Sequence, residues 1–141
     1  MSDATLKNAI ELLNKNNATC VILSNGEPIV SYERGVKPLL RVIDKKQALS
    51  GSVAADKVVG KAAAYLYVLL NIKEIFCQII SKPAIEVLQK NGIKVFYNSI
   101  VERIENRTKD GFCPMEEAVL NCNSPKESYF LIKEKLKSLQ K

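Results

Sequence analysis

The residues of this chain best suited to chemistry fall in two short runs, Asp56-Lys57-Val58-Val59-Gly60-Lys61 and Cys113-Pro114-Met115-Glu116. Two carboxylates, two amines and a thiol are the ingredients of acid–base and nucleophilic chemistry. Small residues from Ser50 to Ala55 lead into Asp56, which reads as the N-cap of a helix with Lys57, Gly60 and Lys61 in its first turn or so. Backbone N–H groups at a helix start attract anions, and nearby lysines strengthen that pull. The expected ligand-binding set is therefore Ser52, Asp56, Lys57, Gly60 and Lys61.

Lys61 stands on an otherwise apolar helix, so it must either reach water or meet a carboxylate or ligand. Replacing it with Met is expected to keep or raise stability while removing the ligand. Asp56→Ala is expected to cost about 1 kcal/mol through loss of the cap. Cys113 occupies the cap position before Pro114, with Glu116 three residues on. A thiolate accepts from backbone N–H groups better than a thiol, so this position favours a depressed thiol pKa, opposed by Glu116 and Glu117 in the same turn. The alternative is an ordinary, partly buried cysteine that only caps.

Several chemistries are excluded. Gly60-Lys61 belongs to the phosphate-loop pattern, but Ala55 replaces its first glycine and Ala62 its magnesium-binding Ser or Thr. The sequence has no histidine, which rules out histidine bases and triads. Its four cysteines, Cys20, Cys77, Cys113 and Cys122, show no CxxC spacing, so no zinc and no other cofactor is expected. The net charge of +6 is spread along the chain, without the clustered Lys, Arg and aromatic residues of a specific nucleic-acid surface. The amino terminus lacks a signal-peptide pattern and no apolar run reaches membrane-spanning length, so a cytoplasmic location is expected.

The elements that must position these residues are legible from periodicity. With 141 residues, 47% of them apolar, the chain can bury one core, and residues 1–141 read as a single domain. Leu6, Ile10 and Leu13 predict an amphipathic helix over Ala4 to Lys15. Ala18 to Leu23, the turn Asn25-Gly26 and Pro28 to Tyr32 predict an antiparallel hairpin. Val36 to Asp44 suits a short helix with Pro38 near its start. Val58 to Leu70 is apolar on nearly every side, which predicts a buried central helix. Ile72 to Ile80 reads as an inner strand, Ser81 to Asn91 as a helix capped by Ser81 and stopped at Gly92. Ile93 to Tyr97 and Ile100 to Ile104 read as two strands broken at Asn98-Ser99. Asn106 to Phe112 reads as a polar loop, Pro114 as the start of a helix, and Ser124-Pro125-Lys126-Glu127 as the capping box of a last helix striped by Tyr129, Ile132, Leu136 and Leu139.

This order resembles the cytidine-deaminase-like fold, which implies a three-layer α/β/α sandwich: a mixed sheet with an N-terminal antiparallel hairpin. In that family a metal ligand and a catalytic glutamate open the second main helix, and Pro-Cys-x-x-Cys opens the next. The corresponding starts here are expected at Asp56-Lys57-Val58 and at Ser81-Lys82-Pro83-Ala84-Ile85-Glu86, and neither carries the zinc ligands. The runs Asp56 to Ala64 and Cys113 to Glu116 are similar to the uncharacterised prokaryotic family called domain of unknown function 1893. That resemblance implies a shared site without zinc and names no reaction.

Two functional classes follow. One is a noncatalytic sensor or binding module for a small anionic or nucleotide-like molecule. The other is a metal-independent enzyme with Cys113 as nucleophile, Lys61 as electrostatic anchor and Asp56 as proton acceptor or as the group that orients the lysine. The partner expected in either case is a small molecule, with no specific nucleic acid and no membrane, and self-association is left open.

Overall fold

The computed structural model of the chain describes residues 2–24, 27–33, 35–45, 51–104 and 114–139. Helix α1 (Ser2–Lys15) buries Leu6, Ala9 and Leu13, one face of a 3.6-residue period. Strands β1 (Cys20–Ser24) and β2 (Glu27–Ser31) pair antiparallel from Cys20↔Ser31 to Ser24↔Glu27, as the hairpin pattern predicts. The turn residues Asn25 and Gly26 lie outside the described residues. Helix α2 (Lys37–Asp44) follows with Pro38 in its first turn.

The next element overturns an expectation. Val53–Val59, expected to lead into and begin the central helix, forms a strand, β3, and the helix α3 (Lys61–Leu69) starts only after Gly60. β3 lies between β1 and the following strand, paired with β1 from Val53 to Asp56 and with the following strand from Val53 to Val59, so most of its backbone groups are taken by the sheet. The small side chains of Ala54 and Ala55 let helices approach both faces of the sheet. Three valines, Val53, Val58 and Val59, suit a pleated surface better than a helix. Asp56 is therefore a mid-strand residue and caps nothing.

Strand β4 (Glu74–Ser81) and helix α4 (Lys82–Lys90) match expectation: Ser81 Oγ accepts from the Ala84 N–H at 3.3 Å, and Gly92, at φ +78°, ends the helical turn. Strand β5 (Lys94–Val101) is continuous, whereas a break at Asn98-Ser99 was expected. Ser99 and Ile100 pair with Ile79 and Ile80, so the ladder offered by β4 overrides the weak strand preference of Asn and Ser. Helix α5 (Pro114–Ala118) and helix α6 (Pro125–Leu139) close the described chain, the latter with Ser124 Oγ accepting from the Glu127 N–H at 3.4 Å.

The sheet order is β2-β1-β3-β4-β5, with β1 antiparallel to both neighbours and β3, β4 and β5 parallel. Helix α1 covers one face through Leu6, Leu13, Val21, Leu23 and Val53. The other face carries α2, α3 and α4, joined by Ile132 of α6 and Val119, around the fully buried Leu66 and Tyr67. The result is a three-layer α/β/α sandwich with a mixed sheet. Among the described residues no helix is long and apolar enough to cross a membrane.

Candidate functional site

Asp56 lies at the centre of the sheet. Its backbone pairs with Cys20 on β1 and with Cys77 on β4, so a thiol stands in register on each side. On α3, Tyr67 is wholly buried and directs its hydroxyl onto Asp56 Oδ2 at 2.6 Å, while the other carboxyl oxygen, Oδ1, accepts the Val58 N–H at 3.2 Å. The Tyr67 oxygen also lies 3.1 Å from Cys20 Sγ. Beyond Val58 the strand changes sides: Val58 is exposed and Val59 is buried with α3.

All partners of Asp56 are neutral, and burial therefore dominates its ionisation. The carboxyl is raised from 3.8 to about 7, with Tyr67 and the backbone N–H groups of Val58 and Lys57 pulling the other way. Burial, reinforced by the Asp56 charge, holds the thiols of Cys20 and Cys77 and the Tyr67 phenol above their ordinary values. The hydrogen bonds can run in either direction. With Asp56 ionised, Cys20 S–H can donate to Tyr67, whose hydroxyl donates to the carboxylate; with Asp56 protonated, it can donate to Tyr67, which turns its proton to sulfur.

The start of α3 is built differently. Gly60 is the N-cap, in extended backbone that any residue adopts, and supplies no side-chain oxygen. The cap comes from another helix: Glu116 of α5 accepts from the Lys61 N–H at 2.7 Å and from the Ala62 N–H at 2.8 Å. A Cβ on Gly60 would lie 2.5 Å from that carboxyl, so the glycine is required by the approach and not by its backbone angles. Burial raises the Glu116 pKa, while the Ala62 and Lys61 N–H bonds and the Lys61 charge oppose the rise.

Lys61 sends its ammonium to the Leu120 carbonyl at 3.1 Å and lies 5.8 Å from the centre of the Tyr65 ring. Tyr65 in turn donates to the Cys122 carbonyl at 2.7 Å, so this helix start is fastened to the segment between α5 and α6. The partner of Lys61 is thus structural, which revises the expectation that Lys61→Met would be free of cost. The variant is expected to lose about 0.5–1 kcal/mol in urea unfolding, the worth of one partly exposed hydrogen bond.

The expected residues are only partly brought together. Asp56 lies mid-strand and Lys61 opens the helix that follows, and the carboxyl engages Tyr67 while the amine engages Leu120. Lys57 turns toward α1, its amine donating to Asn17 Oδ1 at 2.7 Å. Ser52 does not belong to the group. It precedes β3 at the opposite end of the strand, roughly 25 Å from Gly60 at strand spacing, where its buried hydroxyl finds no partner among the described residues. Cys113 lies outside the described residues.

Sequence reasoning missed Glu116 as the cap of α3, because a glutamate three residues past a cap position reads as serving its own helix. It also missed Tyr67. The signal there was available, since a buried tyrosine hydroxyl needs a partner and Asp56 was the nearby acceptor. Because Val53–Val59 is a strand, the second and third helices start at Val36-Lys37-Pro38 and Gly60-Lys61-Ala62, and neither start holds Cys or His. Among the described residues no group of three or more Cys, Asp or Glu could hold a metal ion. A cleft of about 700 Å³ lies elsewhere, between α2 and α6, lined by Lys37, Arg41, Phe130 and Lys133 among others.

These features define an α/β domain whose central strand buries an uncompensated acid and whose central helix is capped from a neighbouring helix. The chain belongs to the family described as domain of unknown function (DUF1893), whose profile matches residues 8–136. It is similar to the crystal structure of a DUF1893 family protein from Thermotoga maritima, with a TM-score of 0.86 and 28% identity over 94% of this chain and 90% of that one. Weaker likeness extends to the dCMP deaminase of cyanophage S-TIM5, with a TM-score of 0.48 and 15% identity over 67% of this chain and 94% of that one. A Thermotoga maritima diaminohydroxyphosphoribosylaminopyrimidine deaminase/reductase gives 0.42 and 16% over 67% and 35%. These partial overlaps place no residue of this chain in a deaminase site. No curated protein matches the chain.

Proposed function

We propose that the chain is a noncatalytic module that binds a small anionic or nucleotide-like molecule at the start of α3. The observation that carries this reading is the Glu116 carboxylate on the Lys61 and Ala62 N–H groups: the helix start already holds a pair of anionic oxygens. A ligand carboxylate or phosphate would compete for the same donors, and Glu116 would be released as it binds. Asp56, buried one strand-turn away with no cation beside it, adds support, because uncompensated buried acids cluster at functional sites. The catalytic alternative has less support, since Asp56 and Lys61 have separate partners. A cytoplasmic setting fits the three described cysteines, which are buried free thiols.

The test is a thermal-shift panel of nucleotides, phosphate, small carboxylates and divalent metals, run on the wild type and on Glu116→Gln. An anion that binds the folded state must raise its melting point, and removing the competing charge of Glu116 should enlarge the rise. Failure of every anion at millimolar concentration to shift either protein would overturn the reading.

A further inference from the structure

The two edges of the sheet are protected differently. The β2 edge contains Pro28, which has no N–H to offer another strand. The β5 edge carries no such device. From Val95 to Val101 it reads Val-Phe-Tyr-Asn-Ser-Ile-Val, without charge, proline or glycine, and among the described residues no strand pairs with its outer side. Phe96, Tyr97 and Ile100 on it are each about 45% exposed. Val58 and Ile79, register neighbours on β3 and β4, are also exposed and lead across the sheet to Ser99. An open edge of this composition would be an aggregation hazard in a free monomer.

We propose that β5 pairs with β5 of a second copy of this chain, antiparallel about a two-fold axis at Asn98, to form one continuous ten-stranded sheet. A two-fold pairing is self-complementary, so one uncharged strand serves both sides. The charges at its two ends choose the direction and the register. Lys94 opens the strand and Glu102 follows it; both are exposed, and Glu102, which Lys82 of its own chain meets through Oε1 at 3.0 Å, has a second carboxyl oxygen to offer. Antiparallel pairing with Asn98 on the axis sets Lys94 opposite Glu102 of the second copy, twice per dimer, and sets Phe96 opposite Ile100; parallel pairing would set lysine beside lysine. An eight-residue strand gives a contact about 27 Å long, which the flanking apolar residues widen toward the ~800 Å² per partner of a stable interface.

The experiment is sedimentation equilibrium on the full chain, with three variants. The wild type is expected to show the mass of two chains at micromolar concentration. Ile100→Lys, which places a charge in the edge, is expected to be monomeric with an unchanged far-ultraviolet circular dichroism spectrum. Lys94→Glu puts like charges opposite each other and should weaken the dimer by about tenfold, whereas the exchange Lys94→Glu with Glu102→Lys, made together with Lys82→Glu so that the pair within each chain is kept in reverse, should restore it to within about threefold. A wild type that stays monomeric at about 100 µM, well above the dissociation constant of a standard-sized interface, overturns the proposal. So does a dimer indifferent to Lys94→Glu, which would mean that another surface or register joins the copies.

Discussion

Replacing Asp56 with Asn is expected to raise stability above neutral pH and to flatten the dependence of stability on pH between about 4 and 8. The folded chain holds the Asp56 proton more tightly than the unfolded chain, because burial raises this carboxyl from 3.8 to about 7. The stability tied to that proton is complete below 3.8 and is lost as the pH rises through about 7, opposite in sign to an ion-paired aspartate. At 1.36 kcal/mol per pH unit, the whole span is worth about 4 kcal/mol. Asn keeps one acceptor oxygen for the Val58 N–H and turns an amide N–H to the Tyr67 oxygen, which can then donate to Cys20 Sγ, and it carries no charge into the core.

The groups facing Asp56 do not supply an alternative source for the slope. Cys20 from β1, Cys77 from β4 and Tyr67 from α3 are all held neutral through this range by burial. Glu116 is raised as well and leaves a residual slope of the same sign, while Asp44, lowered chiefly by its hydrogen bonds to Lys133 and Tyr129, acts in the acid range with the opposite sign. Urea unfolding of both proteins across the pH series isolates Asp56 as the difference between the curves. Parallel curves would show that Asp56 is ionised at neutral pH and compensated by solvent.

The second large effect belongs to the cap of α3. Glu116→Ala is expected to cost about 2–3 kcal/mol, since two buried N–H groups lose a charged acceptor. Gly60→Ala should cost nearly as much by a different route. Its new Cβ would occupy the space of the Glu116 carboxyl, and that flexible side chain must swing away and abandon both bonds. If the two substitutions act through one interaction, the double variant should cost little more than either alone, a coupling of about 2 kcal/mol in a double-mutant cycle. Strict additivity would mean that the Gly60 variant acts through its own backbone and that the two residues do not depend on each other.

Much of the outer frame was legible because it depends on local patterns. The spacing of Leu6 and Leu13, the alternation around Asn25-Gly26, the Ser81 cap and the Ser124 capping box each concern a few neighbouring residues, and four of the five strands follow from such signals. The central strand did not. Val53–Val59 is short, contains two alanines, an aspartate and a lysine, and runs straight into an apolar helix. Its identity as a strand rests on neighbours distant along the chain, Cys20 on one side, 36 residues before Asp56, and Cys77 on the other, 21 residues after it.

The candidate site divides in the same way. Residue type alone marked Asp56, Gly60, Lys61 and the Cys113 run as chemically notable, and the apolar surroundings of Lys61 required a partner for its charge. Which partner each found was a matter of tertiary structure. Glu116 reaches across from α5 to the N–H groups of α3, Tyr67 turns its hydroxyl down to Asp56, and Lys61 finds a backbone carbonyl. By itself the sequence determined an α/β fold, the hairpin, most of its helices and the residues worth watching, because propensity, capping and periodicity act over a few positions. Only the tertiary structure decided that Asp56 is a buried acid and Gly60 a point of close approach. Burial and hydrogen-bond partnership are set by residues distant in sequence that the folded sheet brings within a few ångströms.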